Sequence, residues 1–113
     1  MKNDRLYLEH ISDAVSRIVN YTNGFEYQDF IEDLLVQDAC IRQLEIIGEA
    51  TKHLSAEVRA QYSHIPWKDI AGMRDILIHD YLNVDLDLVW KTVNEKIPEL
   101  KSEIKPIMDD LAK

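Results

Sequence analysis

The sequence predicts an all-α protein, an antiparallel bundle of four to five helices that forms one domain over residues 1–113. The chain has 113 residues, which suffices for one modest core. Its hydrophobic fraction of 46% and charged fraction of 30% are typical of a globular domain. With only 3 Gly and 3 Pro there are few places to turn, which favours a few long helices with short connections.

The first helix is predicted over residues 4–23, because its apolar residues recur at steps of three and four. They are Leu8, Ile11, Val15, Ile18 and Val19, with Ala14 and Thr22 beside them. Asn23 and Gly24 tolerate the left-handed conformation that closes a helix, so they mark its end.

A second long helix is predicted over residues 29–54, followed by a short one that Ser55 caps and that ends near Tyr62. The apolar stripe of the long helix consists of Phe30, Leu34, Ile41, Leu44, Ile47 and Leu54, with Cys40 and Ala50 alongside. We expect Cys40 to be a small core residue, since no activating His or Lys lies near it in the sequence.

Pro66 suits the first turn of a third long helix, predicted over residues 66–82. Asp85 is expected to cap the last helix, after which Pro98 either kinks that helix or starts a new segment ending near Leu111. The apolar residues of the last helix are Leu86, Val89, Trp90, Val93 and Ile97. We interpret Trp67 and Trp90 as packing residues.

Composition narrows the class of protein. No segment approaches the roughly 18 apolar residues of a membrane span, and the charged N-terminal run does not resemble a signal peptide. The single cysteine cannot form an internal disulfide, and no Cys/His group has zinc spacing, so we expect a cytoplasmic protein without a metal or other cofactor. The formal net charge of −8 counts against a protein that coats nucleic acid. It leaves room for a local basic pocket or a basic partner.

Residues 72–81 contain the most informative polar pattern. At about 100° per residue on a helix, Arg74 and Tyr81 share a face with apolar neighbours, whereas Asp75 and His79 share another. Asp75 should then reach His79 as an i, i+4 neighbour and orient its imidazole. An arginine on an apolar face needs a carboxylate, a phosphate or a subunit boundary to satisfy it.

Glu45 and Glu49 are the candidate carboxylates, because they lie four residues apart on the second helix. Gly48 between them costs about 1 kcal/mol of helix propensity relative to Ala. We expect Gly48 to allow close helix packing, which would bring Glu45 or Glu49 near Arg74. The remaining histidines, His10, His53 and His64, are assigned no specific role.

Arg, His and Tyr together suit metal-free phosphodiester chemistry. A histidine with a pKa near 6.5 can take a proton from a 2′-hydroxyl or give one to a leaving oxygen. A guanidinium can clamp a phosphate in two places and stabilise the charge of the transition state. From spacing alone this is a weak signal.

The run Arg74 to Tyr81 reads R-x4-H-x-Y, with Asp75 directly after the arginine, and this resembles the active-site signature of HepT-like toxins in the HEPN superfamily. Other blocks are similar to that family as well, and together they cover about residues 4 to 100. They are 38–42, 44–50, Ile65-Pro66-Trp67, Gly72-Met73-Arg74, Val84-Asp85 and Val89-Trp90.

The resemblance implies a homodimeric helical bundle in which the Arg and His of both subunits meet in a cleft. It implies a metal-independent endoribonuclease that cuts RNA by attack of the 2′-hydroxyl, the toxin of a type VII toxin–antitoxin system. Arg74 would bind the scissile phosphate, His79 would act as general base or acid, and Asp75 would orient them. An MntA-like nucleotidyltransferase antitoxin would silence the toxin by transferring AMP to Tyr81.

Two other interpretations stay open at this point. The chain could be a non-catalytic HEPN subunit, a nucleotide-binding or scaffold component of a nucleotidyltransferase complex, which the acidic charge favours. It could also be a plain structural bundle with a coincidental motif.

Helical geometry adds a difficulty, because His79 points roughly 140° away from Arg74 on an ideal helix. The three groups can then converge in one of three ways. The helix ends before His79, the Arg74 side chain extends around the helix, or a second subunit supplies one side of the site.

Overall fold

The computed structural model of the chain describes residues 3–80 and 83–113, and the side chains of all of these except His79 and Asp80. The predicted all-α bundle is confirmed. Its elements are α1 (Asp4–Tyr21), α2 (Tyr27–Ile31), α3 (Leu34–Lys52), α4 (Ala56–Gln61), α5 (Trp67–Leu77), β1 (Ile78–Asp80), β2 (Asn83–Val84), α6 (Leu86–Lys91), a π-helical turn (Thr92–Lys96) and α7 (Ile97–Leu111).

The core lies where α1 packs against α3 and α7, and α3 packs in turn against α5. The predicted stripe of α1 is buried at Leu8, Ile11, Val15 and Ile18, with Ala14 beside them. Val19 is only partly buried. Burial of this stripe against two neighbouring helices supplies most of the stability of such a helix, because isolated helices of this length are marginal in water.

The prediction of one helix over residues 29–54 is wrong, since the chain breaks between α2 and α3. Asp33 starts α3 as its N-cap, where its carboxylate accepts a hydrogen bond from the backbone N–H of Val36 at 3.0 Å. The buried Gln37 amide donates to the carbonyls of Phe30 at 2.9 Å and Ile31 at 3.0 Å, which satisfies acceptors that the break leaves open. Leu34, expected in the core, is 73% exposed as a result.

The predicted helix over residues 66–82 ends five residues early, at Leu77. Ile78 is extended, with φ −126° and ψ 107°, and pairs with Val84 in an antiparallel two-stranded ladder. The Leu77 carbonyl accepts from the backbone N–H of Asp85 at 3.0 Å, so the returning chain supplies a partner for the helix end. Ile78 is β-branched and buried, and both properties favour the strand.

The caps predicted for the two later helices are confirmed. Ser55 Oγ accepts from the N–H of Val58 at 3.2 Å, and Asp85 Oδ1 accepts from that of Leu88 at 3.0 Å. Pro98 lies in the first turn of α7, directly after the π-helical turn. Proline lacks an N–H and clashes with the carbonyl four residues earlier, and a widened turn relieves that clash, so Pro98 starts the last segment.

The expected packing roles of the tryptophans and of Cys40 fit the structure. Trp67 is buried and donates through Nε1 to the carbonyl of Tyr62 at 3.1 Å. Trp90 is partly buried, with its ring 5.4 Å from that of Phe30. Cys40 is fully buried, and burial raises the pKa of its thiol to about 11.

Candidate active site

Arg74 lies in the last turn of α5, with its side chain 47% exposed. Its Nε donates to Glu45 Oε2 on α3 at 3.1 Å, and its Nη1 lies 3.6 Å from Asp75 Oδ1. Arg74 is therefore not buried on the packed face as the helical spacing suggested, but the expected carboxylate partner is present. It comes from the neighbouring helix, as the sequence suggested.

Gly48 explains how α3 reaches α5. A Cβ atom built on Gly48 would lie 3.4 Å from the carbonyl oxygen of Ala71 and 3.6 Å from that of Ile70. The backbones of the two helices therefore approach closely here, one turn beyond Glu45. The predicted close packing at this glycine is confirmed, and it positions the Glu45 carboxylate against Arg74.

Glu49, the other candidate, has a different neighbour. Its Oε2 lies 3.4 Å from Nε2 of His53, one turn further along α3. Of the two carboxylates only Glu45 contacts Arg74. Glu49 lines the same groove without touching the arginine.

The helical i, i+4 spacing expected for Asp75 and His79 is absent from the backbone, because α5 ends at Leu77. Asp75 Oδ1 lies 3.6 Å from Nη1 of Arg74. The backbone of His79 belongs to β1, while its side chain lies outside what the structure describes, and Tyr81 lies wholly outside the described residues. The 140° separation of Arg74 and His79 holds only for a continuous helix. The first of the three alternatives, a helix that ends before His79, is therefore the one that the structure shows.

An open groove of about 410 Å³ adjoins Arg74, between α1 and α3, and we call it the α1–α3 groove. Its polar and aromatic lining consists of Tyr7, His10, Arg42, Glu45, Glu49, His53 and Arg74. Sequence reasoning missed His10 and His53, which we assigned no role. The spacing of Tyr7 and His10 on one helix, and of Glu49 and His53 on another, was visible, but only packing of the two helices unites the pairs.

Two further features concern the described part of the chain as a whole. No group of three or more His, Cys, Asp or Glu side chains there is arranged to hold a metal ion. Within residues 3–80 and 83–113, no helix has both the length and the apolar character needed to cross a membrane.

Fold and site together define a class: a small helical bundle with a half-exposed, carboxylate-paired arginine beside an interhelical groove. Comparison with known protein families shows which family of that class the chain belongs to. The family model described as Ribonuclease HepT-like matches residues 11–107. The chain belongs to the HepT-like ribonuclease family.

Curated relatives agree with this assignment. The chain is 49% identical over 112 residues to a protein of Methanocaldococcus jannaschii named "Gamma-glutamylcyclotransferase and putative RNase", and the match covers 99% of this chain and 50% of that relative. The chain thus spans half the length of that relative. A "Putative RNase" of Caldanaerobacter subterraneus subsp. tengcongensis is 44% identical, with 96% of each chain covered. A "Probable ribonuclease HepT" of Thermococcus cleftensis is 44% identical, with 89% of this chain and 92% of the relative covered. No solved structure matches.

Proposed function

We propose that this chain is the endoribonuclease toxin of a type VII toxin–antitoxin pair and that it cleaves RNA without a metal ion. The observation that carries the proposal is the environment of Arg74. Its half-exposed guanidinium is bonded to Glu45 beside an open groove, and the helix that carries it ends three residues later, before His79. Membership of the HepT-like ribonuclease family and the ribonuclease names of the relatives support it.

In the proposed reaction, His79 takes the proton of a ribose 2′-hydroxyl, and the freed oxygen attacks the adjacent phosphorus. The bond from phosphorus to the 5′-oxygen breaks, and that oxygen takes up a proton from water as it leaves. The products are a 2′,3′-cyclic phosphate and a free 5′-hydroxyl. Arg74 stabilises the charge that develops on the phosphate oxygens, and Asp75 positions the arginine that it adjoins.

Glu45 serves as the positioning residue for Arg74. Its single bond to Nε leaves the two terminal nitrogens of the guanidinium free of Glu45, and Asp75 approaches one of them only at 3.6 Å. A phosphate can thus engage the terminal nitrogens while Glu45 keeps the side chain in place. This arrangement favours bidentate binding of the substrate.

We propose that the active form is a homodimer packed on the outward face of α5. That face carries Asp75, with its side chain 74% exposed, and Ile76, which is 58% exposed. Gly72 lies on the same face, one helical turn before them. It has open space where a Cβ would be, which allows a second backbone to approach. Two Arg74 side chains in one cleft would give a locally basic field despite the net charge of −8.

The partner in this proposal is an MntA-like nucleotidyltransferase that transfers AMP from ATP to Tyr81 and so silences the toxin. A bulky, charged AMP group two residues after His79 would obstruct the binding of RNA phosphates at the site. The adjacent gene is expected to encode this enzyme.

The test is expression of the chain alone and together with the product of the adjacent gene. Growth arrest by the chain alone, relief by its neighbour, and loss of arrest in His79→Ala are expected. Purified protein should cut RNA in the presence of EDTA. Absence of both toxicity and RNA cleavage would refute the proposal.

A second candidate is a non-catalytic subunit that binds a nucleotidyltransferase and presents Tyr81 to it. The pairing of Arg74 with two carboxylates and the acidic composition favour this candidate. It predicts a stable complex and AMP transfer to Tyr81, with RNA left intact at high protein concentration.

A further inference from the structure

The α1–α3 groove contains more chemistry than the binding of one phosphate by Arg74 requires. Besides Arg74 and its partner Glu45, it is lined by a second arginine and by three rings, on Tyr7, His10 and His53. These groups come from two helices and meet only through packing. Their combination of cation and flat rings is the one that binds single-stranded nucleic acid.

Arg42 is the cation of the groove that remains available for an anion. It is exposed on α3, three residues and about 4.5 Å of helix axis before Glu45. Among the residues that the structure describes, Arg42 forms no ion pair, whereas Arg74 is paired with Glu45 and Asp75. Arg42 on α3 and Arg74 on α5 both line the groove, so two long guanidinium side chains can contact neighbouring phosphates of one strand.

The three rings form a compact cluster in the lining of the groove. Tyr7 stacks on His53, with ring centroids 4.9 Å apart and planes 14° apart. His10 meets Tyr7 edge-on, at 5.9 Å and 89°. The rings of both histidines belong to exposed residues, so flat aromatic surface faces the groove where an unstacked base could lie.

The two carboxylates of the groove each lie beside a basic side chain, and one of them is paired with a permanent cation. Glu45 is held by Arg74 at 3.1 Å, and Glu49 lies 3.4 Å from the imidazole of His53. Each of these two acids therefore has a basic neighbour.

We propose that the α1–α3 groove is a subsite for the nucleotide that flanks the scissile phosphate of single-stranded RNA. Arg42 binds the neighbouring phosphate, and the cluster of Tyr7, His10 and His53 stacks against the base. The inference rests on the proposed function, because it takes Arg74 as the group that binds the scissile phosphate.

The test is binding of a short, fluorescent single-stranded RNA whose riboses all carry 2′-O-methyl groups, so that it cannot be cleaved. Fluorescence anisotropy with the full chain gives Kd and its dependence on salt. Arg42→Ala should raise Kd about tenfold and reduce the slope of log K against log salt by about 0.7, the value for one phosphate contact on a single strand. Lys101→Ala, an exposed site on α7 with the same loss of charge, is the matched control and should change Kd less than twofold.

The stacking half of the subsite is tested at Tyr7. Tyr7→Phe keeps the ring and should bind the same RNA as the wild type does, whereas Tyr7→Ala should weaken binding about tenfold. Tyr7 packs partly against the core, so circular dichroism accompanies both variants. If Tyr7→Ala does not fold, Arg42→Ala decides the matter.

The outcomes separate this inference from the proposed function. If Arg74→Ala loses RNA binding while Arg42→Ala behaves like Lys101→Ala, the subsite is refuted and the proposed function stands. If the wild-type chain neither binds nor cuts RNA, the proposed function fails and the subsite with it.

Discussion

Arg74 is central to the proposed chemistry but contributes little to the stability of the fold. Its guanidinium is half-exposed and paired with a carboxylate from another helix, so it is neither a buried liability nor a free surface charge. Exposed ion pairs of this kind contribute about 0–1 kcal/mol, and removal of this one should leave the fold intact.

Arg74→Ala is predicted to lower kcat/KM for RNA cleavage about 100-fold or more, because a preorganised donor to the transition state is lost. Arg74→Lys keeps the charge but loses the planar fork, so it should recover only a small part of the activity. Initial rates on a labelled oligoribonucleotide measure both effects, and thermal unfolding checks the fold. A fully active Arg74→Ala protein would contradict the proposed role.

Cys40 is predicted to resist alkylation in the native state. Burial raises the pKa of its thiol to about 11, so the reactive thiolate is scarce between pH 7 and 9. Because the folded pKa lies above the unfolded one, the associated stability is present below the unfolded value and is lost as pH rises toward 11. Mass spectrometry after iodoacetamide treatment should find native protein unmodified and denatured protein modified. Rapid labelling of native protein at pH 8 would be inconsistent with this environment.

At the scale of the element, α3 does three things: it starts after a break, supplies Glu45, and approaches α5 at Gly48. We expect the start of α3 to depend on the side chain of Gln37, and its approach to α5 to depend on the absence of a side chain at Gly48. Each can be tested separately from catalysis.

Gly48→Ala is predicted to be within about 1 kcal/mol of the wild type, because a Cβ there makes an ordinary contact at 3.4 Å and Ala has the better helix propensity. Gly48→Leu should destabilise by about 1–3 kcal/mol, since its branches would run into the backbone of α5. Moving the helices apart should also separate Glu45 from Arg74 and lower RNA cleavage. Urea unfolding and cleavage rates are the measurements, and equal stability of the Leu and Ala variants would show that the helices do not meet here.

Gln37→Ala is predicted to cost about 1–3 kcal/mol, because the partly buried carbonyl of Ile31 loses its side-chain donor and that of Phe30 keeps only the 3.3 Å bond from the N–H of Asp33. Gln28→Ala is the control, since Gln28 bonds only to the exposed Glu32 within the described residues. Urea unfolding of both variants compares them directly. A Gln37→Ala protein as stable as the control would mean that the break does not need this side chain.

At the scale of the whole molecule, assembly is the property on which the proposed activity depends. If the proposed dimer forms, Ile76→Glu is predicted to convert it to a monomer and to lower RNA cleavage at least tenfold, since charge would enter the proposed interface on α5. Leu35→Glu, at another site that is 79% exposed, should change neither. Sedimentation velocity and cleavage rates distinguish them. A monomeric wild-type protein with full activity would refute the dimeric site.

The sequence by itself determined the all-α class, the bounds of α1 to within two residues, and the caps at Ser55 and Asp85. These features are local, because they depend on helical periodicity and on side chains that bond their own backbone. The family resemblance was also carried by the sequence. The apolar stripe did not predict the exposure of Leu34, because Leu34 follows a break that Gln37 spans with hydrogen bonds to the preceding helix.

Only the tertiary structure decided where α5 ends, which carboxylate holds Arg74, and that two histidines without an assigned role line the adjoining groove. Helical periodicity extended α5 through Leu82, whereas pairing of Ile78 with Val84 ends it at Leu77. Glu45 and Glu49 were equivalent in sequence, and the close approach at Gly48 selects Glu45. The contacts that select Glu45 and form the groove join residues far apart in the chain, and the pairing of Ile78 with Val84 depends on a chain reversal, so helical spacing encodes neither.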